Sequence, residues 1–204
     1  MDMQRIAIQH MPKLGEVEVF DDIVPADLRR RILALVRRPI WAYGWKSVKA
    51  RDRFCFWHAH FAGGEESSRE GCEAELAANV EAKPIHELWE LLSSSILKGH
   101  EPLRVYANGH TYGVEGYVHT DSSDEENYFT SIYYAHADWE PDWAGETVFF
   151  SRESVDISKS VYPTPGRVIL FRGATAHAAR SPSRECPELR ICIVIKSQLR
   201  RDAR

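Results

Sequence analysis

The 204-residue chain has little of several features that would place it in a specialised class of protein. Its four cysteines form no CxxC pair, so they show neither the spacing of a zinc site nor a disulfide framework. No apolar run is long enough to span a bilayer, and the N-terminal segment has no apolar core typical of a signal peptide. The net charge of -4 gives no reason to expect a nucleic acid or a membrane as partner. We therefore expect a cytoplasmic protein with reduced thiols.

The composition that remains is typical of one globular domain. Hydrophobic residues make up 44% and charged residues 27% of the chain. Its length is enough for one well-buried core and not for two, so we predict a single domain over residues 1–204.

The first half of the chain, about residues 1–99, is predicted to be mostly helical. Apolar residues between Leu28 and Val36 recur on one helical face, and residues 73–98 form a second helical stretch in which Pro84 marks a break or kink. Residues 53–61 form the one strand expected in this half.

After Gly99 the pattern changes to short β-branched and aromatic runs separated by turns. These runs are 103–107, 115–119, 129–136, 146–150, 167–171 and 190–196. Strands at this spacing favour a jelly roll, and helices that precede the strands argue against a doubly wound parallel sheet. We predict an α+β fold with a mainly β core, a double-stranded β-helix over about residues 100–198, buttressed by N-terminal helices.

One metal constellation stands out in the β-rich region. His119 and Asp121 form an HxD pair whose side chains can reach one ion, because residues i and i+2 of a strand point to the same side. His177 follows another apolar run, and Arg190 begins the last one. Two histidines and one carboxylate suit Fe(II) or Mn(II) and leave coordination positions open, and zinc can mimic these metals. An arginine nearby suits a co-substrate that ends in a carboxylate.

Two other histidine motifs compete with this assignment. His136 and Asp138 form a second HxD pair, but aromatic sequence typical of a loop follows them. His58 and His60, followed by Glu65, resemble half of a cupin metal motif that lacks its preceding glycine and its second half. Strand alternation still permits His60 to face a cavity.

Several stretches surround the first HxD pair in a recognisable order. They are Val105-Tyr106-Ala-Asn-Gly, Gly116-Tyr117-Val-His119-Thr-Asp121, Ser131-Ile-Tyr133-Tyr134, Asp138-Trp139, Ala144-Gly145-Glu-Thr, Pro165-Gly166-Arg-Val-Ile-Leu-Phe171 and Leu-Arg190-Ile-Cys-Ile-Val-Ile. In this order, residues 103–196 resemble the catalytic core of prolyl 4-hydroxylase-type 2-oxoglutarate oxygenases, especially the hypoxia-sensing prolyl hydroxylases. The resemblance implies an enzyme that uses Fe(II), 2-oxoglutarate and O2, with ascorbate as an optional addition.

The resemblance also implies roles for single residues. The implied iron ligands are His119, Asp121 and His177. Arg190 pairs with the distal carboxylate of 2-oxoglutarate, Tyr134 donates a hydrogen bond to the same carboxylate, and Tyr106 lines the co-substrate pocket. The loop SPSRECPE places Arg190 farther from the last histidine than is usual in the family, so Arg180 and Arg184 stay open as alternatives. We prefer Arg190 because it begins a strand.

The substrate is less well determined by the sequence. The residues expected to face it are Arg53, Trp57, His60, Tyr112 and Trp139. A compact chain favours hydroxylation of a small molecule, such as an amino acid or a biosynthetic intermediate, and a prolyl residue in a peptide is the alternative. A cupin-like metal enzyme without 2-oxoglutarate, and a non-catalytic ligand-binding jelly roll, also stay open. Arg190 argues against the former and the intact metal constellation against the latter.

Overall fold

A computed structural model describes residues 11–64, 68–151 and 156–200, and two antiparallel sheets form most of it. The larger sheet contains, in spatial order, β1 (Val17–Phe20), β8 (Val168–Arg172), β5 (Tyr128–Tyr134), β10 (Arg190–Leu199), β4 (His100–His110), β3 (Phe56–Gly63) and β2 (Ala42–Trp45). The smaller sheet contains β7 (Ile157–Val161), β6 (Thr147–Phe150) and β9 (His177–Ala179). The helices are α1 (Ala26–Val36), α2 (Glu73–Ala78) and α3 (Lys83–Ser94).

The larger sheet is buried on both faces, and its central strand β10 shows why. Ile191, Ile193 and Ile195 pack in one core cluster with the apolar residues of α1 and α3. Cys192 and Val194 point to the other face and pack in a second cluster with residues of the smaller sheet. Successive side chains of a strand alternate between faces, so a run with both faces buried is apolar throughout. The predicted α+β fold, a jelly-roll core with helices on one face, is confirmed.

The helices follow the predicted pattern. Ile32 of α1 and Leu88 and Trp89 of α3 are fully buried. The helical stretch predicted over 73–98, with a break or kink at Pro84, forms α2 and α3, and Pro84 lies in the first turn of α3, where no backbone N–H is needed.

The N-terminal half is less helical than predicted. It supplies β1, β2 and β3, and only the last of these was expected. The two missed strands are four residues each, too short to show a period of two. Among the described helices, none combines the length and the apolar composition that crossing a membrane requires.

We predict that the buried His100 makes the fold sensitive to acid. Its ring packs against Phe129, and burial lowers its pKa from 6.5 to about 4. The unfolded chain therefore binds more protons than the folded one between these two values, so the free energy of unfolding falls as the pH falls through this window. Urea titrations at several pH values measure the slope of the free energy of unfolding against pH. In His100→Asn this slope should be shallower by up to about 1.4 kcal/mol per pH unit. An unchanged slope would contradict this role.

Candidate active site

Three side chains meet between the two sheets. His119 and Asp121 lie in the loop between β4 and β5, and His177 begins β9. Their candidate ligand atoms all lie within 4.8 Å of one another. The distances from Asp121 oxygens are 3.5 Å to His119 Nε2 and 3.6 Å to His177 Nε2. One ion can therefore contact all three, and the residue types fit the facial triad of non-haem iron.

Backbone atoms hold the two histidines together. The N–H of His119 donates to the carbonyl of His177 at 3.0 Å, and the N–H of His177 donates back at 2.9 Å. The expected 115–119 segment forms no regular strand in the described residues, but besides this bridge the N–H of Gly116 donates to the carbonyl of Ala179 at 2.9 Å. Each ring Nδ1 faces a backbone carbonyl, that of Tyr117 at 2.7 Å and that of Thr175 at 2.9 Å. A carbonyl only accepts, so Nδ1 carries the proton and Nε2 offers its lone pair to the shared point.

The carboxylate of Asp121 is buried, and side chains of the protein provide it with a hydrogen bond and an ion pair. Thr130 donates its hydroxyl to Oδ2 at 2.7 Å, and Lys196 Nζ forms an ion pair with the same oxygen. Burial disfavours the charge, but the ammonium of Lys196 outweighs it and holds the pKa of Asp121 well below its usual range. Burial lowers the pKa of His177 to about 4, so its imidazole is neutral, as metal binding requires. The site therefore offers one negative charge to a cation.

A second polar cluster surrounds Arg190, which is 1% exposed. Its Nη2 donates to the hydroxyl of Thr147 at 2.9 Å, its Nη1 to Cys192 Sγ at 3.0 Å, and its Nε to the carbonyl of Gly145. Tyr134 donates its hydroxyl to the same Thr147 oxygen at 2.7 Å. Residues far apart in the chain thus surround one buried guanidinium.

One cavity joins the two clusters. It encloses about 880 Å³ when the open solvent at its mouth is included. Beyond the two clusters its walls include Trp45, Arg104, Tyr106, Asn108, His110 and Lys196. In the part of the chain that the structure describes, Asp121 is the one acidic residue of these walls, which also include Arg104, Arg190 and Lys196.

The two loop arginines weighed against Arg190 lie outside this cavity. Arg180 forms an exposed ion pair with Glu115 at 3.3 Å. Arg184 is exposed, and its guanidinium lies over the ring of Tyr112 at 5.5 Å.

Three of the residues expected to face the substrate belong to β3 or precede it, and none lines the cavity. Arg53 is exposed ahead of the strand. Trp57 packs edge to face on Tyr43 at 5.2 Å, because the alternation of β3 turns His58 to the cavity side instead. His60 shares the side of His58, with ring centroids 6.3 Å apart, but is exposed beyond the cavity wall.

The other two expected substrate residues also lie away from the cavity walls. Tyr112 is 55% exposed. Trp139 is buried against His136, with ring centroids 4.2 Å apart, and donates its Nε1 proton to the carbonyl of Ala144. Trp139 therefore packs beside the Arg190 cluster without lining the cavity.

The rival histidine motifs have other surroundings. Asp138 is exposed, whereas the neighbouring His136 packs on an aromatic ring. His58 stacks on Trp45 at 4.1 Å, and its Nδ1 lies 3.1 Å from Asn108 Oδ1. Neither motif brings three candidate ligands together within the described residues, and Glu65 lies outside them.

Sequence reasoning missed two cations of the cavity. Lys196 ends the apolar run of β10 at an even separation from Arg190, and even separations share a strand face. Arg104 lies directly opposite Lys196 on β4. Lys196 could have been predicted from the sequence, because it is a charged residue on the same face of an apolar strand as Arg190.

Comparison with known proteins gives the site its context. Residues 102–195 match the family model of the 2OG-Fe(II) oxygenase superfamily. No curated protein matches the chain. The region that resembled 2-oxoglutarate oxygenases in the sequence is thus confirmed as such, and this superfamily uses Fe(II), 2-oxoglutarate and O2.

Three solved structures share the fold. An oxidoreductase of the 2OG-Fe(II) oxygenase family from Burkholderia pseudomallei has a TM-score of 0.68 and 15% identity, over 90% of this chain and 85% of that one. A prolyl hydroxylase from Trichoplax adhaerens, in complex with a hypoxia inducible factor peptide fragment, has 0.58 and 13%, over 91% and 84%. The non-heme alpha ketoglutarate dependent epimerase SnoN from nogalamycin biosynthesis has 0.56 and 13%, over 89% and 78%. At these identities the likeness shows the fold alone.

Proposed function

Residues 102–195 belong to the 2OG-Fe(II) oxygenase superfamily, and on that premise we propose that this dioxygenase hydroxylates an aliphatic C–H of a small molecule. The substrate would be an amino acid or a biosynthetic intermediate, with succinate and CO2 as co-products. The observation that carries the proposal is the meeting of His119, Asp121 and His177 within 4.8 Å in a cavity that Arg190 also lines.

In this proposal the metal ligands are His119, Asp121 and His177. Bound Fe(II), together with 2-oxoglutarate and O2, supplies the oxidising power that converts a C–H to a C–OH. The protein holds the two Nε2 lone pairs and one carboxylate oxygen at a common point, and the backbone carbonyls behind each Nδ1 fix the tautomer of the rings.

We propose Arg190 as the anchor of the distal carboxylate of 2-oxoglutarate. A buried guanidinium favours a carboxylate through charge-assisted hydrogen bonds, and the hydroxyls of Tyr134 and Thr147 lie in the same cluster. The distance along β6 between the residue that contacts Arg190 and the residue that pairs with His177 also suits 2-oxoglutarate. Thr147 contacts Arg190, and Phe149, two residues later on the same face of β6, pairs with His177. This step is about 6.6 Å, of the order of the length of a five-carbon diacid.

Tyr106 contributes to the cavity wall between the two clusters. It lies on β4 directly opposite Val194 of β10, between the levels of Arg190 and Lys196 and nearer to Lys196. We propose that its ring forms the floor on which 2-oxoglutarate lies.

The burial of the polar residues that line the cavity supports a small substrate over a peptide. Thr130, Arg190 and Lys196 are each less than a tenth exposed. The alternative, a prolyl residue of a peptide, draws support from the fold shared with the peptide-bound prolyl hydroxylase.

We predict that small molecules, and not peptides, stimulate turnover. Adding Fe(II) and 2-oxoglutarate without oxygen should first give the weak visible charge-transfer band of the chelate. In air, succinate should form slowly alone and faster with the right member of a panel of free amino acids and related metabolites, because a bound substrate excludes water and couples the reaction. Stimulation by proline-containing peptides alone, with hydroxylation of a prolyl residue, would contradict the small-molecule assignment.

A further inference from the structure

We propose, resting on the function proposed above, that His110 is a second anchor for 2-oxoglutarate, and that its imidazole donates a hydrogen bond to the distal carboxylate beside Arg190. His110 lines the same cavity as the metal ligands and is 2% exposed. Its Nδ1 has no hydrogen-bond partner within the described residues. A buried polar group without a partner is costly, so a ligand that accepts its proton removes that cost on binding.

The register of the larger sheet places the imidazole next to the guanidinium. His110 is the last residue of β4 and lies directly opposite Arg190, the first residue of β10. Residues directly opposite each other on antiparallel strands have Cβ atoms about 4.5–5.5 Å apart on one face of the sheet. Here the shared face is the cavity side, since both residues line the cavity. A carboxylate that contacts the guanidinium is therefore within reach of the imidazole.

The donors already assigned to the distal carboxylate leave room for one more. Each nitrogen of the Arg190 guanidinium uses one N–H on the protein, and each Nη keeps a second N–H. Thr147 accepts from both Arg190 and Tyr134, so its own proton is left to donate. A carboxylate accepts about four hydrogen bonds on its two oxygens. Arg190 and Thr147 together supply about three, and His110 supplies the remaining one.

His110 can donate this hydrogen bond without adding charge. Burial, together with the charge of Arg190, lowers the pKa of His110 to about 3, so the ring is neutral and carries a single proton. A second cation at this position would repel Arg190. The ring packs on Phe56 with centroids 4.6 Å apart. A half-turn about the Cβ–Cγ bond keeps that contact and exchanges nitrogens with carbons, so either nitrogen can be presented to a ligand.

Two other buried histidines show what distinguishes His110. His100 and His136 also have a ring nitrogen without a partner among the described residues, but neither lines this cavity. His136 resembles His110 in a further respect, because burial and the charge of Arg190 lower its pKa to about 3 as well. Its ring packs on Trp139 instead of facing the cavity. His136 is therefore a matched control for His110.

The test compares two 2-oxo acids that differ only at their far end. 2-Oxoglutarate ends in a carboxylate, and 2-oxopentanoate has the same chain length with a methyl group in its place. Each acid is titrated without oxygen into protein that holds Fe(II), and the visible charge-transfer band gives its affinity. Calorimetry with Zn(II) in place of Fe(II) gives the affinity a second time.

Removing the imidazole should weaken the binding of one acid and not of the other. In His110→Phe, and equally in the smaller His110→Leu, the affinity for 2-oxoglutarate should fall ~10-fold or more, as expected for a hydrogen bond to a charged group. The affinity for 2-oxopentanoate should change little, because its methyl group accepts no hydrogen bond. A residue that only shapes the cavity would change both affinities together.

Three further variants assign the effect to the donor. The amides of His110→Asn and His110→Gln can donate from near the positions of Nδ1 and Nε2, and one of the two should recover most of the affinity for 2-oxoglutarate. His136→Phe removes a buried histidine near the same guanidinium. In this control the ratio of the two affinities should stay within ~3-fold of the wild type.

Three outcomes would overturn the proposal. One is an unchanged ratio of affinities in both His110→Phe and His110→Leu. Another is a failure of both amide variants to recover affinity, which would show that the ring and not a donor is needed. The third is an equal fall of the ratio in His136→Phe, which would assign the effect to the general surroundings of Arg190. Absence of the charge-transfer band in the wild type would contradict the proposed function itself, whereas a normal band with an unchanged ratio contradicts only this inference.

Discussion

Replacing Asp121 by alanine should abolish the formation of succinate, whereas the same replacement at Asp138 should leave it unchanged, although each aspartate belongs to an HxD pair. Asp121 is the acidic member of the group that can hold an ion, and Asp138 is exposed next to a histidine that packs on Trp139. Loss of a direct metal ligand should exceed the ~10–100-fold cost of losing an outer-shell partner. The measurements are the rate of succinate release and the iron content after dialysis.

A second variant separates the loss of metal from a loss of fold. Asp121→Ala also leaves Lys196 without its ion-pair partner, which could destabilise the core. His177→Ala leaves that ion pair intact and should lose activity and iron to a similar extent, with an unchanged circular dichroism spectrum. If His177→Ala forms succinate at the wild-type rate, the proposed triad is wrong.

Replacing Arg190 by methionine should raise the KM for 2-oxoglutarate by a factor of ~30 to several thousand. The variant leaves a buried carboxylate without its charged partner, a loss of roughly 2–5 kcal/mol. Arg190→Lys should give an intermediate value, because a lysine keeps the charge but cannot reproduce the planar donor arrangement that contacts Thr147 and Gly145.

The two loop arginines are matched controls for this experiment. Arg180→Met and Arg184→Met remove the same charge from exposed positions outside the cavity, so the KM should stay within ~3-fold of the wild type, since surface ion pairs contribute little. A large rise in the KM of either loop variant, with a normal value for Arg190→Met, would show that the loop arginine, and not Arg190, binds the distal carboxylate of 2-oxoglutarate.

The sequence predicts the larger features of this fold because their periodicity is strong. The apolar stripe from Leu28 to Val36 gives α1, and the run from Ile191 to Ile195 gives the middle of β10. The HxD pair and the second histidine are found from residue type and order alone. Short elements carry too few residues for a period, which is why β1 and β2 were missed.

Which face of a strand meets the cavity is not predictable in the same way. Alternation tells which residues share a face but does not name the face that lines the site. The larger sheet is covered on both sides, so polarity does not mark one side as outer. Trp57 was therefore expected at the substrate, whereas the cavity is lined from the same half of the chain by Trp45. The inward direction of Arg104 and Lys196 depends on the register of β4 and β10.

The reciprocal backbone bridge between His119 and His177 has a consequence for how such an enzyme can diversify. The main chain makes these two hydrogen bonds, and every residue type except proline can supply both the N–H and the carbonyl. A side chain of the same loop that lines the cavity, such as the exposed Thr120, can therefore be exchanged without displacing either imidazole. Mutations that reshape the mouth of the cavity are decoupled from metal affinity, so a lineage can acquire new substrates while its chemistry stays constant.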